Sequence, residues 1–393
     1  MVPSEIVYTI LLFGLFVVPR ALQRFRIPAA ITSLVLGMAA GPGLGLFASD
    51  ETVKLLSTFG IVALFLFAGL DVDVDDLRRE RRIITEHLVV QVVALFLSAF
   101  AVAALIGVAF RPALIVALAV LTPSTGFILD SLPGMGLDER TAFWVRTKAI
   151  ATELVALAVM FVTLQSASLR ELSVSSVALV AMVVVLPILF RAFAHFIVPH
   201  APKTEFSFLL MTAVICALVT RQLGVYYLVG AFIVGMVAQS FRSGLPAIAN
   251  ERMLGAVEAF ASIFVPFYFF HAGLVLRRED LSLDALVYGL AFLVAALPIR
   301  IGMVVLHRRV RLGEALRDSL RVAVPMLPTL VFTLVLAGIL RERFPMPPGV
   351  FGGLIIYALV NTMIPSLALR TPLPEFETPE ILPLPNRSPA ADG

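Results

Sequence analysis

Cysteine is almost absent. Cys216 is the only one in 393 residues, so an intramolecular disulfide is excluded, and a lone thiol inside an apolar run reads as packing. Charge is scarce as well: Asp, Glu, Lys and Arg make up 15% of the chain, too little to wet the surface of a soluble protein of this length. The P-loop pattern is missing, which speaks against transport driven directly by ATP. No grouping of residues resembles a metal or haem site, so no cofactor is expected. In place of the short apolar–polar alternation of a membrane barrel, long apolar runs recur. Hydrophobic residues make up 60% of the chain and the mean hydropathy is +0.98. Several runs reach the ~20 residues a helix needs to cross roughly 30 Å of hydrocarbon. The chain therefore reads as an all-α integral membrane protein that crosses the bilayer many times, in contact with membrane lipids. Its formal charge of +3 does not point to nucleic acid, because the basic residues sit in short connectors and report orientation instead.

The apolar segments predict thirteen transmembrane helices, over about 5–19, 27–47, 54–70, 86–108, 113–131, 142–164, 172–195, 204–220, 224–240, 253–276, 282–306, 316–338 and 348–369. The first has no Lys or Arg before it and no small-residue cleavage site after it, so it reads as a retained helix and not as a signal peptide. From Thr371 the chain becomes Pro-rich and polar; residues 1–371 are expected to form the transmembrane domain and 372–393 a disordered cytoplasmic tail. With the N-terminus outside, the cytoplasmic connectors and tail hold eighteen of the 30 Lys and Arg residues, Arg78, Arg79, Arg81 and Arg82 among them, and the opposite connectors hold eight. That bias predicts an external N-terminus and a cytoplasmic C-terminus.

An internal repeat accounts for the odd number of crossings. The third span ends FLFAGLDVDVDDL (65–77) and the tenth YFFHAGLVLRREDL (268–281), setting Ala68-Gly69-Leu70 against Ala272-Gly273-Leu274 at an offset of 204. TPST at 122–125 in the fifth span meets MLPT at 326–329 in the twelfth, placing Thr125 opposite Thr329, and Gly37-Met38 meets Gly235-Met236 at an offset of 198. Partners lie seven helices apart, so the two copies run through the membrane in opposite senses. Inverted repeats over about 5–165 and 204–370, linked by the helix at 172–195, are the signature of a transporter with related gates at its two faces.

The residues that carry chemistry lie within these spans. Leu121-Thr-Pro-Ser-Thr-Gly126 and Val324-Pro-Met-Leu-Pro-Thr329 put proline beside hydroxyls at matching places in the fifth and twelfth spans. Proline removes a backbone donor and clashes with the preceding turn, and paired broken helices point to a midplane ion site lined by Thr122, Thr125 and Thr329; ordinary kinks are the plainer alternative. Glu153 lies about 12 residues into the sixth span, or roughly 18 Å of rise. A carboxylate at that depth is costly unless it faces protein or water, so a functional role is the default, with Thr152 able to add an oxygen. A structural Glu paired with a buried base is the alternative. Arg300, in the eleventh span, is read either as organising the site or as an interfacial arginine. Lys148 has three open roles: pairing with Asp130, acting at the site, or lining an aqueous approach; its spacing of five puts it off the face of Glu153. His271, which ends the tenth span, reads as an interfacial side chain before a pH-responsive one. The run Asp71–Asp76 lacks the central Gly and terminal Glu of a calcium loop and reads as a solvated boundary.

Taken together, GMAAGPGLG within Pro28–Gly45, FAGLD within Phe59–Asp71, the break around Thr122–Gly126, the ionisable residue of the sixth span, LVGAFIVGM within Tyr227–Met236 and PFYFFHAGLVL at Pro266–Leu276 resemble the monovalent cation:proton antiporter superfamily, in particular its bacterial sodium/proton and potassium/proton exchanger branch. The resemblance covers about residues 5–370. It implies residence in the bacterial inner membrane and a homodimer in which helices 1–3 and 8–10 form the scaffold while helices 4–6 and 11–13 move, with helices 5 and 12 crossed and partly unwound. It implies exchange of H+ for Na+ or K+ by elevator-like alternating access. The acidic pair of the sixth helix in such proteins matches Thr152-Glu153 here, and their basic residue of the eleventh helix matches Arg300. Threonine cannot carry a second proton, and Glu stands where Asp is usual.

Three other classes stay open on the sequence: a channel or uniporter with Glu153 as filter, an antiporter-like sensor that transports nothing, and an anion or organic-acid transporter suggested by Arg300 and Lys148. The odd crossing number is directly testable. On a Cys216→Ser background, single cysteines at Ser4 and Ser388 are expected to react with impermeant thiol reagents from opposite faces, and labelling of both from one face would remove it.

Overall fold

A computed structural model describes residues 4–47, 49–166, 168–201, 203–241 and 251–369. The tail expected at 372–393 lies outside the described residues. Every described element is helical. In chain order the α-helices are α1 (Ser4–Gln23), α2 (Ala29–Met38, prolonged by a π-helical turn over Ala39–Gly43), α3 (Glu51–Leu70), α4 (Val74–Arg79), α5 (Arg81–Ile106), α6 (Phe110–Leu121), α7 (Thr125–Ser131), α8 (Glu139–Gln165), α9 (Leu169–Ala192), α10 (Glu205–Gln222), α11 (Tyr227–Ser240), α12 (Glu251–Leu274), α13 (Leu283–Leu312), α14 (Leu316–Ala323), α15 (Leu330–Arg343) and α16 (Pro348–Ala368), with short helical turns at Leu132–Met135, Phe193–Ile197 and Arg278–Leu281. Ten helical stretches among the described residues are long and apolar enough to cross a membrane. Three of the thirteen segments expected from sequence fall short of that measure: Ala29–Gly43 and Tyr227–Ser240 are shorter apolar helices, and the twelfth is divided into α14 and α15.

Local chemistry sets several of the helix starts. Asp50 opens α3 by accepting from the N–H groups of Thr52 and Val53. Asp73 does the same for α4, so part of the acidic run at 71–76 is a helix cap. Asp138 opens α8, accepting from the backbone N–H of Thr141 at 3.0 Å and its hydroxyl at 2.7 Å. These bonds hold the Asp138 carboxyl below the ordinary carboxylate range.

Two groups of helices follow from the packing. In one, α2 and α3 pack on α11 and α12, with α1 and α10 flanking them; in the other, α5, α6 and α8 pack with α13 to α16. The first group is held by glycine crossings. A Cβ on Gly37 would lie 2.0 Å from the Phe270 carbonyl oxygen, and one on Gly273 would lie 2.1 Å from that of Leu34. The crossing of α3 and α11 repeats the arrangement: a Cβ on Gly69 would meet the Phe232 oxygen at 2.3 Å and one on Gly235 the Leu66 oxygen at 2.3 Å. Hydrocarbon gives apolar helices no hydrophobic reason to associate, so close backbone approach supplies the attraction, and only glycine permits it here. The contact from the first group to the second includes α3 against α7, where Leu64 packs over Gly126.

Gly273→Ala is therefore expected to lower the thermal midpoint of the purified protein, since overpacking of this kind costs about 1–3 kcal/mol. Gly302→Ala, which faces open space in α13, should be neutral or stabilising by roughly 0.5–1 kcal/mol. Equal midpoints for the two variants would mean that the crossing yields without cost.

Candidate functional site

Proline and its predecessor make the first break. Pro123 disfavours helical backbone in the residue before it, and Thr122 leaves α6 in an extended conformation with φ −88° and ψ 124°. The chain re-enters a helix at Thr125. The second break is longer, running from Val324 to Thr329 between α14 and α15 and holding Pro325 and Pro328. The two unwound segments touch: the Ser124 N–H donates to the Pro328 carbonyl at 2.8 Å, the Phe332 N–H donates to Ser124 Oγ at 3.0 Å, and the Thr333 hydroxyl donates to the Ala119 carbonyl at 2.7 Å.

The carbonyls freed by the breaks are met by side chains from neighbouring helices. Tyr357 of α16 donates to the Val120 carbonyl at 2.6 Å, and Gln91 of α5 to that of Leu121 at 3.3 Å. Within the second break, Arg300 Nη2 donates to the Met326 carbonyl and Nη1 to that of Leu327, both at 2.5 Å, with the Tyr357 hydroxyl 3.2 Å from Nη1. Asn361 Nδ2 adds a bond to the Leu327 carbonyl and one to Thr329 Oγ1. The guanidinium satisfies acceptors in the break that hydrocarbon would leave bare.

Glu153 stands on the donor side of the crossing. It is 1% exposed, and its Oε2 accepts from the Thr125 N–H at 2.8 Å, where α7 begins. Among the described residues no Lys, Arg or His is ion-paired with it. The expected site residues are thus distributed as follows. Thr122 ends α6, Thr125 offers its N–H to Glu153, and Thr329 caps α15 within reach of Asn361. Thr152 turns its hydroxyl to His87 Nε2, 3.4 Å away. Arg300, 5% exposed, does not snorkel to an interface; it braces the second break through carbonyls. Lys148, wholly buried, meets neither Asp130 nor Glu153 but lies 3.3 Å from His307 Nδ1. His271 is half-buried at the end of α12, in the field of Lys54 and Glu51.

Sequence reading missed several participants: His87, Gln91, His307, Ser124, Tyr357 and Asn361. His87 and Gln91 are four residues apart in an apolar span, as are Tyr357 and Asn361. That spacing puts each pair on one helix face, the one signal that pointed to them. His87, Gln91, Leu121, Pro123, Thr152, Arg300 and Leu327 are among the residues lining a cavity of about 20 Å³, room for about one water molecule. Glu153 is not part of that lining. Toward the start of α5, His307 Nε2 lies 3.7 Å from Glu86 Oε2, and Glu86 pairs with Arg311. Arg308 is held by Glu314 through two bonds of 2.8 Å and lies over the ring of Trp144.

Fold and site together define the class: an all-helical, multi-pass membrane protein with an acid, Glu153, at the crossing of two broken helices that has no basic partner among the described residues. The family described as sodium/hydrogen exchanger, transmembrane, matches residues 8–373, and the chain belongs to it. It is 41% identical over 75 residues to the probable Na+/H+ antiporter 3 of Methanocaldococcus jannaschii, a match covering 19% of each chain. It is 25% identical over 295 residues to the Na+/H+ antiporter NhaS5 of a Synechocystis species, covering 70% of this chain and 40% of that one. The chain thus aligns with only part of the length of these two relatives. The structure is similar to that of the sodium proton antiporter MjNhaP1 from Methanocaldococcus jannaschii, with a TM-score of 0.67 over 94% of this chain and 97% of that one at 15% identity, a likeness of fold.

Removal of Arg300 tests how the second break is held. Arg300→Met removes the side-chain donor from the Met326 carbonyl, while the Leu327 carbonyl keeps Asn361; an unsatisfied buried acceptor costs about 1–3 kcal/mol, so the variant is expected to lower the thermal midpoint. Arg300→Lys should fall between the two, because one ammonium does not reproduce the planar fork. A melting curve for Arg300→Met that overlays the wild type would show that the Met326 carbonyl finds another donor.

Proposed function

We propose that the chain is a secondary antiporter exchanging protons for a monovalent cation, Na+ or K+, with Glu153 binding either one in turn. The observation that carries this reading is the bare acid at the crossing. A carboxylate withdrawn from water with no basic partner needs a proton or a cation to neutralise it. Competition between the two couples one gradient to the other with no nucleotide. The names of the relatives, Na+/H+ antiporters, favour Na+. Thr125, Thr152, Thr122 and Thr329 are the hydroxyls we assign to the transient cation. One acid beside a threonine accepts one positive charge of either kind, so the exchange is one for one and electroneutral.

The alternatives weaken on the same contacts. A permanent ion pair needs a base, and Glu153 has none beside it among the described residues. An anion site needs free cationic groups, whereas Arg300 is committed to carbonyls and Lys148 to His307. We further read the molecule as thirteen crossings in two inverted repeats. The glycine crossings support this: pairing Gly37 with Gly235 and Gly69 with Gly273 turns the α2–α12 contact into the α11–α3 contact. In this reading α1–α3 and α10–α12 form the scaffold and the homodimer surface. The group α5–α8 with α13–α16 moves as an elevator, and the bacterial inner membrane holds the N-terminus outside and the tail in the cytoplasm.

In proteoliposomes with an imposed pH gradient, added Na+ or K+ is expected to drive proton movement through the wild type. Glu153→Gln keeps the size and hydrogen bonding but cannot titrate, and it should lose that response while remaining folded. Na+, K+ and Li+ tested separately identify the cargo, and undiminished exchange in Glu153→Gln rules the assignment out.

A further inference from the structure

Asn361 lies one turn beyond Tyr357 on α16 and is wholly buried, at 0% exposure. Its amide nitrogen donates to the Leu327 carbonyl at 2.5 Å and to the Thr329 hydroxyl oxygen at 3.2 Å. Between those two residues stands Pro328, whose carbonyl accepts from Ser124, the neighbour of the Thr125 whose N–H holds Glu153. Asn361 and Glu153 therefore grip the two unwound segments, one each, at the place where the segments touch.

The nitrogen explains only half of the amide. Asn361 Oδ1 is buried with no hydrogen-bond partner among the described residues, and on the other segment the Thr125 side chain lies beside the Glu153 carboxyl. A carbonyl oxygen kept from water and from every donor is unfavourable, and native structures rarely tolerate one without cause. The two bonds from Nδ2 fix the plane of the amide and hence the place of its oxygen. Monovalent cations are bound by oxygens of this neutral kind, with selectivity set by their number and geometry. A neutral oxygen also leaves the charge balance at Glu153 undisturbed.

Resting on the reading of Glu153 as the carrier, we propose that Asn361 coordinates the transported cation through Oδ1, together with Thr125 Oγ1, while Glu153 balances its charge. The amide nitrogen is the anchor and the oxygen is the ligand.

Purified full-length protein, assayed for Na+-driven exchange in proteoliposomes and for Na+-induced thermal stabilisation in detergent, tests this. Asn361→Ala should raise the half-saturating Na+ concentration about tenfold with less than a twofold change in maximal rate, the mark of a lost binding contact. It should also shrink the Na+-induced rise in melting temperature at a fixed salt concentration. Asn361→Asp keeps a ligand oxygen and the size but loses the anchoring donors, so its half-saturating Na+ concentration should fall between those of the wild type and alanine. An alanine variant with wild-type half-saturation but a lower rate or lower Na+-free stability would overturn the proposal, as would an aspartate variant weakened as much as alanine, because the anchoring bonds alone would then matter. Glu153→Gln in the same assays separates this inference from the one beneath it. Exchange retained in Glu153→Gln removes the antiporter site altogether, whereas exchange lost there with Na+ affinity intact in Asn361→Ala removes only the role of Asn361.

Discussion

Inside a membrane each backbone N–H and C=O must find a partner within the protein, and the breaks at 122–124 and 324–329 turn that requirement into a site. Interrupting two helices strips carbonyls and amides of their intrahelical partners where no bulk water reaches them. Several of these groups are then met from outside their own helix, while others bond within the turn at 324–327. Tyr357, Gln91, Arg300 and Asn361 supply donors to the carbonyls, and Ser124 and Glu153 accept from the amides. The polar residues of the central spans are in this sense consequences of the breaks. They also lock the two segments against each other, since the Ser124 bonds join one break directly to the other.

The arrangement is unequal in its charge. The offset of 204 that sets Thr125 against Thr329 also sets Glu153 against Tyr357. One position is an acid on the amide at the start of α7; the other is a phenol donating to a carbonyl at the end of α6. The charged guanidinium of Arg300 braces the second break, and the neutral amide of Gln91 serves the first. The positive charge of Arg300 is spent on carbonyls of the second break, which leaves the carboxylate without a basic partner among the described residues. A mobile cation or proton competes for an acid only when no fixed base has claimed it, and the separation of Arg300 and Lys148 from Glu153 meets that condition.

Around this centre the packing is of two kinds. The glycine crossings of α2 with α12 and of α3 with α11 bring backbones together so closely that a single methyl group would collide. In the other group, glycines of α16 approach α13 and the turn before it comparably closely, a Cβ on Gly353 lying 3.0 Å from the Gly289 nitrogen. Where α7 meets α3, the approach at Gly126 is looser: a Cβ there would lie 3.2 Å from the Leu64 side chain and 3.3 Å from its carbonyl oxygen.

Much of the fold was legible because hydrophobicity and proline act locally. A run of about 20 apolar residues cannot be wetted wherever it lies in a chain, and a proline breaks the ladder of its own helix regardless of tertiary contacts. The breaks at 122–124 and 324–329 and the isolation of Glu153 in an apolar span could be read on those grounds. The length of α11 and the division of α14 from α15 could not, since the end of a helix in a membrane depends on which neighbours receive its carbonyls. The partners of each polar residue were equally hidden. Lys148 was open to Asp130 and lies against His307, 159 positions away; Arg300 was read as an ion-pair or interfacial residue and binds carbonyls 26 and 27 positions on. The sequence by itself determined where the chain is apolar, where it breaks and where it carries an acid, because those properties belong to single residues and their nearest neighbours. The tertiary structure alone decided which base meets which acceptor and which acid meets none, because such pairings are set by the crossing of helices far apart in sequence.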